Sequence, residues 1–217
     1  MSDPKPAAAN TTTRILDVAE RLMQTRGFNG FSYADIAAEV RITKASLHYH
    51  FATKAELGCT LIERYSDAFE SALQRIGRER TDAPARLRAY VKLYAEVLAD
   101  ERMCLCGMLA AEYATLPEPM QRALRAFFAA NERWLTHLLE QGQQEGSLTV
   151  RVPACEAAAM LVGALEGGML LARASGDPAK FTGAARLLLA QLESPAAGSA
   201  NRRARVARFA ARPARRS

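Results

Sequence analysis

No stretch of this sequence alternates β-branched and polar residues, so half-buried strands are not expected anywhere along it. Aromatic residues are scarce at 7%, with a single Trp, although 49% of residues are apolar. Apolar residues spaced by three and four recur throughout and predict an all-α chain. Long hydrophobic runs are also missing. The longest, Ala157 to Leu165, stops at Glu166, too short to span a bilayer. The first ten residues carry no apolar signal core, so no membrane partner and a cytoplasmic location are expected. There are only four cysteines, which without an export signal are expected as reduced thiols. No nucleophile–base–acid set, phosphate-cradling glycine loop or paired-carboxylate motif occurs. Neither catalytic residues nor a cofactor nor a metal centre is therefore expected, and the chain is not read as an enzyme.

Acidic residues are absent from one end. After Glu193 come seven arginines (Arg202, Arg203, Arg205, Arg208, Arg212, Arg215 and Arg216) and no acid. Taking these seven from the 29 basic residues leaves 22 against 23 acidic ones, so the net charge of +6 belongs to the tail. The segment 195–217 is expected to be disordered, since Ala, Pro and Arg form no coherent core. It can add non-specific phosphate contacts.

With 217 residues there is ample material for a buried core. About nine helices are expected. A disordered polar arm, 1–11, is expected before a first helix from Thr12 or Thr13 to Arg26, closed by Gly27 as a left-handed C′ residue. Phe28 and Phe31 flank a turn at Asn29-Gly30. Ser32 and Asp35 have capping-box spacing and open a short helix, Thr43 caps a second that runs to His50, and Thr53 with Glu56 opens a third. Two short helices joined by a tight turn suit a helix-turn-helix, whose second helix enters the DNA major groove. The helix from Lys54 to about Ile76 outgrows a three-helix head and must enter a larger helical body. The expected units are a DNA-binding head at 12–53 and an effector-binding and dimerisation domain at 54–194. In the body, helices are expected at 84–99, 107–115, 118–145, 153–174 and 178–193.

The wording of the head narrows its role. ITKASLHYHFATKAEL resembles the recognition-helix signature of the TetR family of bacterial repressors. The resemblance extends upstream through ILDVAERLMQTRGFNGFSYADIAAEV and covers Thr12 to Leu57 densely; beyond Leu57 it holds only in helical layout and length. His48 stands where an aromatic Tyr is usual. The resemblance implies phosphate contacts for Thr43 and Lys54, and phosphate or base contacts for Lys44, Ser46, Tyr49 and His50. Free amides at helix starts add Ser32 and Thr53, Ala45 can pack on a thymine methyl, and His48 lies on the same short helix. Dimers of such heads read pseudo-palindromic double-stranded operators. A homodimer is expected from the last two helices, with Gly163, Gly167, Met169, Phe181, Leu188 and Leu192 at the interface, because the first of the pair is apolar nearly all round.

Cys104-Leu105-Cys106 admits three readings: small apolar packing residues, a thiol sensor, or metal ligands, the last weakened by the lack of adjacent His or a second Cys pair. A sensor needs positive charge or a helix N-terminus nearby; Arg102 and a helix start near Gly107 are the candidates. SLHYHF together with CLCGMLAAE resembles the cysteine-bearing, NemR-like branch of the TetR family, which answers to reactive electrophiles. It also resembles regulators of small unsaturated acids or aldehydes. Glu112, Tyr113, Trp134 and His137 are candidate cavity residues, and Glu166 must find a partner in the pocket or at the interface. The reading is a dimeric repressor released from its operator by a small-molecule or electrophilic effector. The alternatives are an architectural DNA-binding protein that uses the basic tail, or a helical enzyme with an incidental head.

Overall fold

A computed structural model describes residues 6–193, and among them all regular structure is helical apart from one isolated bridge between Leu148 and Glu193. The α-helices in order are α1 Pro6–Arg26, α2 Tyr33–Val40, α3 Lys44–His50, α4 Lys54–Glu79, α5 Ala83–Ala99, α6 Leu105–Ala111, α7 Glu118–Gln144, α8 Ala154–Ser175 and α9 Ala179–Leu192; a 3₁₀ turn spans Tyr113–Thr115. The Arg-rich tail and the first five residues lie outside the described residues.

Local chemistry sets most of these boundaries. Thr43 Oγ1 accepts from Ser46 N at 3.1 Å, Thr53 Oγ1 accepts from Glu56 N at 3.1 Å, and Asp82 accepts from Ala85 N at 2.7 Å. The Asp35 carboxylate accepts from Ser32 N at 2.7 Å and Ser32 Oγ at 2.6 Å. Gly27 ends α1 at φ 79°, and a Cβ on it would also meet the Glu112 carboxyl at 2.8 Å. Only glycine satisfies both demands. At Gly30 a Cβ would lie 2.1 Å from the Arg26 carbonyl oxygen, which makes the 28–31 turn possible only there.

Several boundaries differ from expectation, and α4 runs past Ile76 to Glu79. α1 begins at Pro6, inside the segment expected as a disordered arm. Ala7, Ala8 and Ala9 carry high helix propensity, and proline is well suited to a first helical position. α6 starts at Leu105, two residues early, because Leu105 and Cys106 are wholly buried and draw the first turn into the core. It yields to the 3₁₀ turn after Glu112, whose side chain is held elsewhere.

One hydrophobic cluster runs from Ile15 in α1 to Leu192 in α9. The expected division at 53/54 is therefore crossed by packing: α4, with 26 residues, spans roughly 39 Å at 1.5 Å per residue and contacts α1 at one end and α5 and α7 along its length. In the body α7 packs on α4, α5 and α8, and α8 on α9.

Candidate DNA-binding surface and buried thiol site

In the head, Leu47 is wholly buried and anchors α3 against the core. That orientation turns Lys44, Ala45, His48 and Tyr49 outward, Tyr49 being 86% exposed. Ser46 is half-buried, its amide held by Thr43. The turn into α3 passes through Arg41 in the left-handed region, φ 59°. Exposed Ser32, Thr43 and Thr53 mark the starts of α2, α3 and α4.

Three residues expected to face DNA have partners inside the protein. Lys54 Nζ donates to the Phe28 and Phe31 carbonyls and sits 4.6 and 4.2 Å from their ring centroids. Half-burial lowers its pKa, with the nearby Glu112 carboxylate opposing the shift. It is a tie across the head, where a free point charge was expected. His50 Nδ1 lies 3.0 Å from Thr12 Oγ1 and joins α3 to α1. His48 Nδ1 lies 3.2 Å from the Ala52 carbonyl, with its ring 4.8 Å from Tyr33.

Of the expected effector residues, only some come together. Trp134 stacks on Tyr90 at 5.6 Å and lines a cavity of about 640 Å³ between α4 and α7, with Phe69, Phe127 and Asn131. Cys104 lines a second, smaller cavity of about 240 Å³ between α4 and α5, with Tyr65, Phe69, Tyr94 and Met169. Phe69 is shared by both walls. Cys106 is completely buried beside it. His137 lies apart, exposed on α7 and bonded to the Arg133 carbonyl at 2.8 Å. Tyr113 accepts from Arg125 at the surface. Glu112 belongs to a joint: it accepts from Phe28 N at 2.5 Å and Asn29 N at 3.3 Å, so it grips the turn that Lys54 holds from the other side. These three are corrected out of the cavity.

Around Cys104 the sequence pointed to a positive neighbour, and a carboxylate stands there instead. Cys104 is the N-cap of α6, with no side-chain cap bond, and the Glu166 carboxylate of α8 is near enough to act on its thiol. Tyr65 lines the same cavity wall as Cys104. Burial, then Glu166, push the Cys104 thiol well above its ordinary pKa; burial does the same to Cys106. Both thiols are protonated in this state. Burial raises Glu166 to about 7, with the Cys104 thiol pulling it down. Its Oε1 is buried with no hydrogen-bond partner among the described residues. Gly107 lies close beneath, where a Cβ would approach Oε2 to 2.1 Å. Tyr65 and Glu166 are the members of this site to which no role was given from sequence; the signal for Glu166 was a lone acid in an apolar stretch. Among the described residues no group of His, Cys, Asp and Glu is arranged to hold a metal ion.

The site is wired to the head. Met103 N, beside Cys104, donates to the Gln24 carbonyl at 3.3 Å, and Arg173, two turns along α8 from Glu166, donates to the Gln24 carbonyl at 3.2 Å and to that of Thr25. α1 thus ends on backbone and side chains that flank the thiol site.

The α8–α9 face also departs from expectation. Met169 and Phe181 are buried within the protomer, Phe181 lying against Gly168, and Leu192 is 7% exposed. Leu188 is half-buried. Gly163 and Gly167 look onto open space, and the exposed apolar side chains beside them are Met160, Leu170, Leu171 and Leu187. By length and composition α8 is apolar enough to cross a membrane. Its exposed residues form a stripe, with the remaining faces packed on α7 and α9.

Residues 15–57 match the family model of bacterial regulatory proteins, tetR family, and residues 83–188 match the tetracyclin repressor-like C-terminal domain. The transcriptional regulator AcuR of Cereibacter sphaeroides is 30% identical over 153 residues, covering 68% of this chain and 69% of that protein. A TetR-family transcriptional regulator from Agrobacterium tumefaciens superposes with a TM-score of 0.84 at 34% identity, covering 86% of this chain and 100% of the other. NemR of E. coli, in its reduced form, shares the fold with a TM-score of 0.73 at 24% identity, over 86% and 99% of the two chains.

Proposed function

Because this chain belongs to the tetR family of bacterial regulatory proteins, it is a DNA-binding transcriptional regulator with a helical ligand-binding body, and we propose that its effector enters at Cys104. In this reading the protein is a cytoplasmic homodimeric repressor, bound on the nucleoid at a pseudo-palindromic operator. The head is 12–53 and the sensing and dimerising body 54–194. Lys44, Ala45, His48 and Tyr49 face the major groove. The starts of α2, α3 and α4 at Ser32, Thr43 and Thr53 lie against phosphates. The exposed stripe of α8 and α9 pairs with its copy to form a four-helix bundle.

The observation that carries the reading is the wiring between thiol and head. Met103 and Arg173 hold the last carbonyls of α1, and both flank the Cys104–Glu166 contact. In this reading an adduct on Cys104 draws the sulfur from Glu166 toward the cavity, so α6 and α8 part and α1 loses its anchors. Reversing a 1:99 equilibrium takes roughly 5.5 kcal/mol of preference for the released state, and a covalent adduct supplies it more readily than weak contacts. In this electrophile-sensing reading Cys104, which lines the cavity, is the reacting thiol, and Cys106, away from the cavity, is the packing residue.

The test is release of a fluorescent operator duplex by but-2-enal. Wild type and Cys106→Ser are expected to release; Cys104→Ser is expected to stay bound. Normal release by Cys104→Ser removes the thiol mechanism. The tail-dependent alternative is separated by a footprint: a chain ending at Ser194 should protect the same short palindrome.

A further inference from the structure

We propose that the cavity of about 640 Å³ between α4 and α7 is a second ligand site, separate from Cys104, and that it takes a bulky lipophilic organic cation. Phe69, Phe127 and Trp134 form its aromatic lining, with the Phe69 and Phe127 rings edge to face at 5.4 Å. On the α7 side Ala126 and Ala130, both exposed, leave the space between the helices unfilled. A cavity of this volume holds a drug-sized molecule.

The rim decides the charge of that molecule. Glu63, Asp67 and Glu70 stand at i, i+4 and i+7 on α4, so the three carboxylates share one helix face, and all three line the cavity. Among the described residues none of them is in an ion pair; Glu70 accepts from Gln74 Nε2 at 3.3 Å. Arg133, beside Trp134, is the one cation in the lining, which sets three carboxylates against one guanidinium. The buried polar side chain of the wall offers an anion nothing more. Asn131 Oδ1 accepts from the Tyr90 hydroxyl at 2.8 Å, and its Nδ2 donates to the Tyr94 hydroxyl at 3.2 Å. A cation meets carboxylates at the mouth and aromatic faces within, and both attract it. A quaternary or delocalised cation suits the site best, because no N–H donor has to be buried without a partner.

The preference has to be local. The whole chain carries a net charge of +6, which draws anions from a distance. A cation favoured here is therefore favoured against the field of the rest of the protein. The two cavities share the Phe69 wall, but this site needs no reaction at Cys104, and Cys104→Ser should bind the cation as wild type does.

Trp134 is the chain's single tryptophan, so its emission reports on this wall. The probes are tetraphenylphosphonium and tetraphenylborate, nearly identical in shape and opposite in charge. Each is titrated into the full chain and followed by Trp134 emission and by calorimetry. The phosphonium should bind at least about tenfold more tightly than the borate at low salt, and its affinity should weaken as salt rises. A variant combining Glu63→Gln, Asp67→Asn and Glu70→Gln alters exposed side chains and should keep its helical content. It should lose both the advantage of the cation and the salt dependence. Ala130→Phe, which fills the cavity from an exposed position, should weaken both probes by at least about tenfold. Equal affinity for the two probes, or tighter binding of the borate, overturns the choice of a cation. Unchanged cation binding by the triple variant overturns the role of the acids, and unchanged binding by Ala130→Phe moves the site elsewhere. Absence of phosphonium binding overturns the proposal outright. If either variant unfolds, the wild-type preference between the probes and its salt dependence still decide. Operator release from Cys104→Ser by but-2-enal would remove the thiol reading and leave this site standing.

Discussion

Glu166 is the carboxyl whose raised pKa bears most on the pH dependence near neutrality. Burial lifts its pKa to about 7 from the ordinary 4.5. A group whose pKa is raised on folding contributes fully below its unfolded value, and that contribution is lost as pH rises through the folded one. Wild type is therefore expected to lose stability between about pH 5 and about pH 8, by up to about 3 kcal/mol at 1.36 kcal/mol per unit. Glu166→Gln, which cannot ionise, should show a flatter curve in urea melts over that window. Equal slopes would refute the assignment. Lys54 offers a second test at this scale. Were its ammonium on a phosphate, Lys54→Met would lower the salt slope of operator binding by about one. Held on two carbonyls and two rings, it should leave that slope unchanged and instead lower the melting temperature. A slope reduced by one, with stability intact, would return Lys54 to the DNA.

Among the elements, α6 has two ends with different work. Cys104 caps its start, and Glu112 follows its last turn and holds the Phe28 and Asn29 amides. Glu112→Ala strips the half-buried Phe28 amide of its acceptor, a loss of about 1–3 kcal/mol. Faster hydrogen exchange at Phe28 and Asn29 should accompany it. Operator affinity should hold while release by but-2-enal weakens, since one of the ties between body and head is gone. Unchanged release would mean that the joints through Met103 and Arg173 suffice. The helices themselves were legible because their signals are local: Ser32 with Asp35, Thr43 with Ser46 and Thr53 with Glu56 are all three residues apart. The groups that matter in the site are not local. Glu166 approaches Cys104 across α6, α7 and the first part of α8, and Lys54 meets Phe28 across a span of 26 residues. Nothing in spacing announces such pairs, although the lone acid in an apolar helix did announce that it needed one. His137 and Glu112 were misplaced because nearness in sequence to Trp134 or the cysteines does not tell where a side chain ends: His137 is exposed on α7, and Glu112, past the end of α6, turns to the Phe28 and Asn29 amides.

For the whole molecule, the proposed dimer would pair two heads at fixed separation, and α8 is the element that would provide it. Its periodicity was uninformative, since residues apolar on every side cannot show which side faces in; Met169 therefore looked like interface and is core, while Leu170 and Leu171 beside it are exposed. Gly163 and Gly167 leave open space along the same stripe, where a partner helix can approach closely. Leu171, 69% exposed, makes no demand on the protomer's own core. Leu171→Arg should then leave the helical content and melting of the protomer nearly unchanged. In a dimer it meets its copy or a neighbouring apolar residue across the interface, and burial of an unpaired charge there is costly. Sedimentation should show a shift toward monomer. Operator affinity should fall by about 10² to 10⁴, because linking two heads makes the second contact intramolecular and the variant forfeits that gain. A variant that remains dimeric and binds its operator as wild type does would move the interface off this stripe. A variant that falls apart into monomers but binds at full strength would show that one head suffices, and release by a change in head spacing would then have no physical basis.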